Sequence, residues 1–480
     1  MQNLSERIDK TINNKVSTKG VSIRILSIPL LIVELFFGLT LVLYFFGPTK
    51  FEKDNSFFLL FILTLYHLVF ILGYFIEIKK NKYDQIVEKK IYKNPQIQKR
   101  RILRFIKIII VFGLILTTIS TVTYTNITSL SPFYLIKQIA YSLNNPLGAY
   151  SESFGINNGG FIFKLLVIFA PVSWAAFPLS VAFFKKLPIT YKILTLIMFL
   201  LEAIRWIVMG RNKGVFDLAI IVSVIVLMKF LQNQYTQKSN IEIKILGYKK
   251  NKAKSRKSLI VILVLVFSAI SYFTNAIGSR TQYYRYDSSL YDTLLMKISP
   301  EILHPTLIYL TNYLTQGYRA FSKIIEVDWT PMFGIGNSMF LIANFSGLFG
   351  RDFFQYTYQT KLISQGIDPF VAWHTFYTWI ANDVHWIGVI VIMFLLGKYF
   401  AFIVKRNIIY GEIITYPLIC LMFIIMFYMS GNNQVFSQSN TFITFWFLSS
   451  YWLLIRKKIV FTKSVYGLFE KNIEKSSLTK

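Results

Sequence analysis

Long apolar runs separated by shorter polar stretches dominate this chain of 480 residues. A helix needs about 20 mainly apolar residues to cross a hydrocarbon core of roughly 30 Å. Because runs of that length recur between residues 25 and 456, the pattern predicts an all-α fold, a polytopic membrane helical bundle of about ten transmembrane helices. The predicted spans lie near residues 25–46, 57–78, 104–123, 161–184, 190–210, 214–231, 258–277, 384–404, 413–430 and 440–456.

The spacing of the apolar runs also predicts the order of segments along the chain. The predicted order is a cytoplasmic tail (1–24), seven spans with two basic cytoplasmic loops (25–277), a large outer loop (278–372), the last three spans (373–456) and a second cytoplasmic tail (457–480). Apolar patches at 302–314 and 338–349 within the large loop are too short to span and suit interfacial or re-entrant helices. The Asn, Gly and Pro residues of 124–160 predict turns and loop structure there.

Composition and charge agree with lipid as the solvent. A hydrophobic fraction of 54% and an aromatic fraction of 17% exceed what a soluble chain can cover with polar side chains. The net charge of +29 would also suit a nucleic-acid-binding protein, but Lys and Arg concentrate in alternate connections, which is the positive-inside pattern. We therefore expect both termini in the cytoplasm and no nucleic-acid partner. The basic clusters lie at 7–24, 79–104, 185–192, 249–257, 405–406 and 456–458.

Several kinds of site are missing from the sequence. It contains no P-loop, dinucleotide fingerprint, zinc-protease motif or Asp-x-Asp pair. Its single cysteine, Cys420, excludes a disulfide framework and a cysteine-based metal site. We expect no cofactor and no metal.

Ionisable residues inside predicted spans are the first functional clues, because each costs several kcal/mol in a bilayer. The densest group is Glu202, Arg205, Arg211, Lys213 and Asp217, at the outer side of the fifth and sixth spans. These residues either form self-satisfied ion pairs with Arg211 reaching the interface, or they bind a phosphate, which Arg recognises with planar bidentate donors. Glu34 is the main charge predicted at greater depth.

Two further groups of residues bracket the large outer loop. Arg280, Tyr283 and Arg285 begin it, and they suit either a sugar-binding platform or an interfacial aromatic belt. The loop closes with a second group, in which a histidine either accepts a proton from an attacking hydroxyl or is simply hydrogen-bonded at the interface. This group contains His374, Asp383 and His385, and the last two are also candidates for a proton relay.

Several of these features together resemble one protein family. The features are the ten-span bundle, the late outer loop, the Arg211-bearing hairpin, Gly-Ser-Arg at 278–280 and His-Thr-Phe at 374–376. They look like the bacterial O-antigen polymerases of the Wzy type, the oligosaccharide repeat-unit polymerases of the GT-C superfamily. The resemblance covers most of the chain in architecture.

The resemblance implies a glycosyltransferase of the bacterial cytoplasmic (inner) membrane. A hydroxyl of an incoming repeat unit would attack the anomeric carbon of the growing chain, and undecaprenyl diphosphate would leave. The implied partners are undecaprenyl-diphosphate-linked oligosaccharides and membrane lipid, and a chain-length regulator protein is a further candidate partner. The surface product would be an O-antigen, as part of lipopolysaccharide, or a capsule.

The resemblance also suggests roles for individual residues. Arg205, Arg211 and Arg280 would hold the diphosphate and stabilise its charge as the bond breaks. Arg285, Lys213 and Tyr283 are further diphosphate- or sugar-binding candidates, while His374 would orient or deprotonate the acceptor, supported by Asp383 or His385. The family's Arg-x10-Gly spacing is absent at Arg205, because position 216 is Phe216.

Three other functions remain open at this stage, of which one is a receptor or scaffold without chemistry. An O-antigen ligase shares the leaving group but transfers finished glycan to lipid A-core. A lipid-linked oligosaccharide flippase or transporter needs charges near the middle of the membrane, where Glu34 is the main candidate.

Overall fold

A computed structural model describes residues 2–49, 51, 54–80, 95–125, 127–153, 160–239, 271, 274 and 292–455 of the chain. Within these residues all regular structure is helical, as the apolar pattern predicted. The helices are α1 (Gln2–Phe46), α2 (Ser56–Lys79), α3 (Pro95–Thr125), α4 (Pro132–Asn144), α5 (Pro146–Glu152), α6 (Phe161–Ile168), α7 (Ala170–Phe183), α8 (Ile189–Val208), α9 (Lys213–Ser239), α10 (Leu294–Ile298), α11 (His304–Ser322), α12 (Met339–Phe349), α13 (Tyr358–Lys361), α14 (Phe376–Tyr410), α15 (Thr415–Tyr428), α16 (Gln434–Ser437) and α17 (439–455).

Five helices among the described residues are long and apolar enough to cross a membrane. They present large apolar side chains outward, such as Phe57 at 85% exposure and Leu35 at 64%. Soluble proteins rarely expose so many large apolar side chains on neighbouring surfaces. The chain is therefore a multi-pass helical membrane protein. The five segments are Ile23–Phe46, Ser56–Lys79, Arg100–Thr125, Lys213–Gln237 and Phe376–Tyr410.

A sixth crossing exists if α6 and α7 count as one broken span. The apolar segments Phe161–Ile168 and Ala170–Lys186 meet at a bend of 51°. Pro171, in the first turn of α7, explains the bend, since its ring removes a backbone donor and clashes with the preceding turn.

The remaining predicted spans have different outcomes. Helix α8 coincides with the predicted 190–210 span but carries Lys192, Glu202 and Arg205 within its 20 residues, and it is not among the five. Helix α15 is shorter, at 14 residues, α17 covers the predicted last span, and the predicted 258–277 span lies outside the described residues apart from 271 and 274. The full set of ten spans stays a prediction.

Helix α11 lies across one end of the bundle. A Cβ placed on Gly47, just after α1, would be 2.9 Å from Thr311 Cγ2, while Asn55, just before α2, donates a hydrogen bond to the Ser322 carbonyl at 3.3 Å. These two contacts are eleven residues apart on α11, about 16 Å of helix. We call this end of the bundle the outer end, because the charge pattern predicts that residues 47–55 face away from the cytoplasm.

The closest helix pair in the bundle is α2 with α14. A Cβ on Gly73 would lie 2.3 Å from the Phe394 carbonyl oxygen, and one on Gly397 would lie 2.1 Å from the Phe70 carbonyl oxygen. Both positions therefore require glycine, as in membrane helices whose backbones approach closely. The two helices are therefore tightly packed against each other.

Helix α14 is broken at His385, which has φ 62° and ψ 158°. This backbone conformation is strained for a residue with a side chain. Tyr66 contacts both halves, because its hydroxyl donates to the Trp386 carbonyl while its ring lies 5.3 Å from the Tyr377 ring. The break at His385 divides α14 into the half-helix Phe376–Val384 and a second half that ends at Tyr410.

The loop predictions from sequence are borne out only partly by the described residues. The apolar patches predicted at 302–314 and 338–349 are helical, as parts of α11 and α12. The 124–160 segment contains α4 and α5, and the predicted turn at Asn145 coincides with the break between them, while residues 154–159 lie outside the described residues. The Asn145 side chain accepts a hydrogen bond from Gly148 N at 3.1 Å and caps α5.

Candidate functional site

A cleft between α3, the α6–α7 pair, α8 and α9 holds the densest group of charges predicted from sequence. Its space is about 690 Å³ when its open side is included, and α17 closes one wall. Asn440 and Thr441 on that wall follow Phe436, whose carbonyl accepts a hydrogen bond from Ser338 near the outer end. The polar lining residues are Ser120, Ser173, Glu202, Arg205, Lys213, Asp217, Gln438, Asn440 and Thr441.

Two ion pairs line this cleft. Arg205 pairs with Glu202, three residues earlier on α8, and also donates to Ser120 on α3. Lys213 donates to Asp217 Oδ2 at 2.6 Å, across one turn of α9. The sequence alternative of locally paired charges is therefore met in part, because the spacing of three and four residues places these side chains on one helix face.

Trp206 lies between the two cations. Its ring centre is 5.1 Å from Arg205 Cζ and 5.6 Å from Lys213 Nζ, within the range of a cation–π interaction. Its indole nitrogen donates to Glu202 Oε1 at 2.8 Å. Gly214 makes room for this ring, because a Cβ there would lie 2.0 Å from it.

Hydrogen-bonding capacity is left over on this cleft. Arg205 Nε, Asp217 Oδ1 and Asn440 Oδ1 are buried and have no hydrogen-bond partner among the described residues. Buried polar atoms are nearly always paired, and unpaired ones at a cleft indicate where a ligand or ordered water binds. Arg205 is thus held by Glu202 and two aromatic rings while one donor stays available.

Arg211 does not line the cleft. It follows Gly210, whose φ of +61° is one that glycine favours and on which a Cβ would lie 2.8 Å from both the Pro146 carbonyl oxygen and Tyr150 N. The hairpin therefore packs against α5, and Arg211 donates to Ser153 Oγ at 3.2 Å. Burial lowers the pKa of Arg211.

His374 is buried at the start of α14. Its side chain is 3% exposed, and neither ring nitrogen has a hydrogen-bond partner among the described residues. Burial lowers its pKa to about 3, so the imidazole is neutral near pH 7. It is a weak base, whereas efficient general bases have pKa values near the working pH. His374 does not line the cleft that Arg205 and Lys213 share.

Asp383 does not contact His374 but binds the outer loop. Its Oδ1 accepts hydrogen bonds from Gly334 N and Gly336 N, both at 2.8 Å, and its Oδ2 accepts from Asn337 Nδ2 at 2.8 Å. These bonds fix a turn of the loop onto α14. The expected support of His374 by Asp383 is not present, because both Asp383 oxygens are occupied by the loop.

Asn382 continues the same attachment, and the sequence analysis missed it. Its Oδ1 accepts from Tyr358 N at 2.9 Å, its Nδ2 donates to the Gly336 carbonyl at 2.9 Å and to Gln359 at 3.0 Å, and its carbonyl accepts from Trp329 Nε1 at 3.1 Å. We call this pair the Asn382–Asp383 anchor. A polar dipeptide one residue before a break in an apolar helix was the available signal.

His385 forms the break itself. Its ring packs edge-on against Trp329 at 5.3 Å and lies 5.0 Å from Trp386. Its Nδ1 accepts a weak hydrogen bond from Ile387 N at 3.4 Å. The relay proposed from sequence between Asp383 and His385 is not formed by these contacts. Arg280, Tyr283 and Arg285 lie outside the described residues.

A second missed group lies deep in the bundle. Glu34, the main charge predicted at greater depth, is hydrogen-bonded to His67 of α2, which in turn contacts the Tyr377 hydroxyl. The three residues are far apart in sequence, so no local motif announces them.

Searches of protein-family models, of curated proteins and of solved structures find no match to the chain. Among the described residues, no group of three or more His, Cys, Asp or Glu side chains is arranged to hold a metal ion. The side chains that line the cleft are therefore the basis for a functional assignment.

Proposed function

We propose that the chain is a membrane glycosyltransferase that polymerises undecaprenyl-diphosphate-linked oligosaccharide repeat units into a surface polysaccharide, on the outer face of a bacterial cytoplasmic membrane. The supporting observation is the cleft, in which Arg205 and Lys213 face a space between apolar helices near the outer end. A lipid diphosphate has the matching chemistry, because its chain needs an apolar surface and its phosphates need fixed cations.

Arg205 carries most of this proposal. Its guanidinium is oriented by Glu202 and lies 5.4 Å from the Tyr124 ring centre, and its Nε–H faces no partner among the described residues. A preoriented donor of this kind stabilises the charge that develops on a leaving diphosphate without reorganisation. Lys213 adds a second cation, as a point charge on the same cleft.

The proposed reaction breaks the bond between the anomeric carbon of the growing chain and the diphosphate oxygen. The electron pair leaves with undecaprenyl diphosphate, and a hydroxyl oxygen of the incoming unit bonds to the anomeric carbon. The hydroxyl proton needs an acceptor, and Glu202 and Asp217 are the two carboxylates that line the cleft. His374 is a weaker choice, because burial lowers its pKa to about 3.

Glycan profiles in a deletion strain test the proposed activity. Loss of the chain should leave lipid A-core carrying a single repeat unit, whereas loss of a ligase would leave bare core. Complementation with Arg205→Lys should reduce long-chain glycan by about 100-fold, since Lys keeps the charge but has no donor at the position of Arg205 Nε. Normal chain length with this variant would remove Arg205 from the mechanism.

Arg351→Lys provides a matched control. Arg351 also stacks on a tyrosine, with its Cζ 4.9 Å from the Tyr356 ring centre, but it lies in the outer loop and does not line the cleft. This variant should keep long-chain glycan. Binding of farnesyl diphosphate to the purified protein should weaken in Arg205→Lys and stay unchanged in Arg351→Lys.

Transport of lipid-linked oligosaccharide is the second candidate function, and one observation favours it. Glu34 lies midway along the first span with a histidine partner, and charges at that depth mark many transport pathways. Liposomes that contain the purified chain and a fluorescent lipid-linked oligosaccharide separate the two activities. Movement across the bilayer without extension would replace the polymerase proposal.

A further inference from the structure

Three polar side chains from three helices form a hydrogen-bonded chain inside the bundle. Glu34 Oε2 of α1 lies 2.9 Å from His67 Nδ1 of α2, and His67 Nε2 lies 2.7 Å from the Tyr377 hydroxyl of α14. The Glu34–His67–Tyr377 chain takes no part in the cleft described above. It needs its own explanation, because ionisable groups at this depth are costly and usually mark a functional site.

The Glu34–His67–Tyr377 chain lies halfway across the predicted membrane. Glu34 is eleven residues from the start of the span Ile23–Phe46, and His67 is eleven residues from the start of the span Ser56–Lys79. The His67 ring is stacked on Phe37 with ring centres 3.4 Å apart, and its side chain is 6% exposed against 18% for Glu34. Glu34 is therefore the more accessible end.

The ionisable groups around the chain are mostly tyrosines. Beside it lies a cavity with space for about one water molecule, into which α11 contributes Tyr318, whose hydroxyl is 2.9 Å from Thr40 Oγ1. Tyr66 of α2 lies outside this cavity, with its ring 5.3 Å from the Tyr377 ring. No Lys or Arg lines the cavity.

The other helices that pack on α1 have their charges engaged elsewhere. On α9, Lys213 and Asp217 pair with each other, and Lys229 donates to the Tyr416 hydroxyl of α15. Helix α15 carries only Tyr416, Cys420 and Tyr428 as titratable groups. Helix α11 carries Arg319, which lies near Tyr44 at the end of α1, and α14 carries Lys398, Lys405 and Arg406 in its second half. Among the described residues, the ion-pair partner of Glu34 is His67 and none of these cations.

Counting protons shows what the site lacks. A neutral imidazole has one N–H. If this N–H donates to Glu34 Oε2, the other ring nitrogen must accept from the Tyr377 hydroxyl, and the three side chains together carry one negative charge. Glu34 Oε1 is buried with no hydrogen-bond partner among the described residues. A carboxylate whose hydrogen-bond partner is a neutral imidazole is costly to hold in such surroundings. One added proton, on His67 or on Glu34, makes these three side chains neutral as a group.

We propose that Glu34, His67 and Tyr377 form an intramembrane site that binds one exchangeable proton. Because Tyr377 is the second residue of the half-helix Phe376–Val384, the proton is bound where this half-helix meets α2. Proton occupancy decides whether Nε2 of His67 donates to the Tyr377 oxygen or accepts from its hydroxyl. This proposal is independent of the polymerase proposal.

Solid-state NMR of the full chain in lipid bilayers tests the site, with ¹⁵N-labelled histidine as the probe. The chain has four histidines, so His67→Asn identifies the His67 ring signals. We expect these signals to change with pH, and the change to be lost in Glu34→Gln, which keeps the size and an acceptor but cannot be ionised. Tyr377→Phe should keep the pH response and alter the Nε2 signal.

Glu326→Gln is the matched control, since Glu326 also accepts a side-chain hydrogen bond, from Asn55, but at the outer end. It should keep the His67 response. A His67 response that persists in Glu34→Gln, or signals that respond to Na⁺ or K⁺ at constant pH, would overturn the proton site. If Glu34→Gln does not fold, infrared difference spectra of the native chain at two pH values decide it. A carboxyl or imidazole band that changes supports the site, and no change contradicts it.

Discussion

The cleft and the Glu34–His67–Tyr377 chain bury acidic groups in different ways. In the cleft, Glu202 and Asp217 each lie within a helical turn of a cation. In the middle of the bundle, the hydrogen-bond partner of Glu34 among the described residues is a histidine, and one of its oxygens has none there. The cleft lies near the outer end and Glu34 lies halfway along its span, so the penalty for burying a charge is larger for Glu34.

The difference suggests two kinds of ligand. A cluster with balanced charges stays stable without a ligand and can still offer spare donors, such as Arg205 Nε, to an anion. A lone acid gains most from a proton, which removes its charge at no steric cost. The comparison therefore predicts that removing a single charge costs much more stability in the cleft than at Glu34.

Breaking the Lys213–Asp217 pair should have the largest effect. Both side chains are at most 10% exposed, so Lys213→Met leaves a buried uncompensated carboxylate and should lower the free energy of unfolding by about 3–5 kcal/mol. The double variant Lys213→Met/Asp217→Leu should recover most of the loss. Denaturation in mixed detergent measures both, and equal losses in the single and double variants would contradict the pairing.

Asp383 tests whether an acid needs a cation as its partner, because its oxygens accept hydrogen bonds mainly from backbone N–H groups. Asp383→Ala removes three hydrogen bonds of 2.8 Å from the outer loop and should cost about 3 kcal/mol. Limited proteolysis should then cut near residues 329–337. Asp352→Ala, which removes one exposed bond to Phe354 N at 2.9 Å, is the control and should change stability by less than about 0.5 kcal/mol.

His374 extends the comparison to a buried base that has no hydrogen-bond partner among the described residues. Burial lowers its pKa to about 3, whereas an unfolded histidine titrates near 6.5, so between these values only the unfolded chain binds the proton. Stability should fall as pH drops from about 6.5 toward 3, by up to about 1.4 kcal/mol per unit. His374→Gln should flatten this slope, measured by unfolding at several pH values, and His304→Gln should keep it.

Glu34→Gln should have the smallest effect of the series. The amide keeps an acceptor for His67 and removes a charge that is costly to bury, so the free energy of unfolding at neutral pH should change by at most about 1 kcal/mol. The same denaturation assay applies. If Glu34→Gln costs as much as Lys213→Met, the distinction between the two clusters is lost.

The parts of the fold predicted from sequence are those set by local composition. The run at 57–78 became Ser56–Lys79, because apolar length alone sets such a helix. The predicted start at 384 coincides with the break at His385, but the helix extends back to Phe376. Its first half contains Thr378, Asn382 and Asp383, and this polar content hid the helix from an apolar-run criterion.

The site shows the same limit. The Glu202–Arg205 and Lys213–Asp217 pairs were predictable, since three- and four-residue spacings place side chains together on any helix. The contact of His67 with Tyr377 joins positions 310 residues apart, and only the packing of α2 against α14 brings them together. The burial of His374 was also unpredictable, and it decides whether this imidazole can act as a base near neutral pH.

The Asn382–Asp383 anchor holds the outer loop largely through main-chain atoms. Gly334 N, Gly336 N and Tyr358 N all donate to it, and main-chain groups are the same whatever side chain a residue carries. Exposed residues of the loop can therefore be exchanged without loosening its attachment, provided that Gly334 keeps its φ of +92°. The arrangement separates where the loop is held from what it presents, so its outward surface is free to diversify while its register with the bundle stays constant.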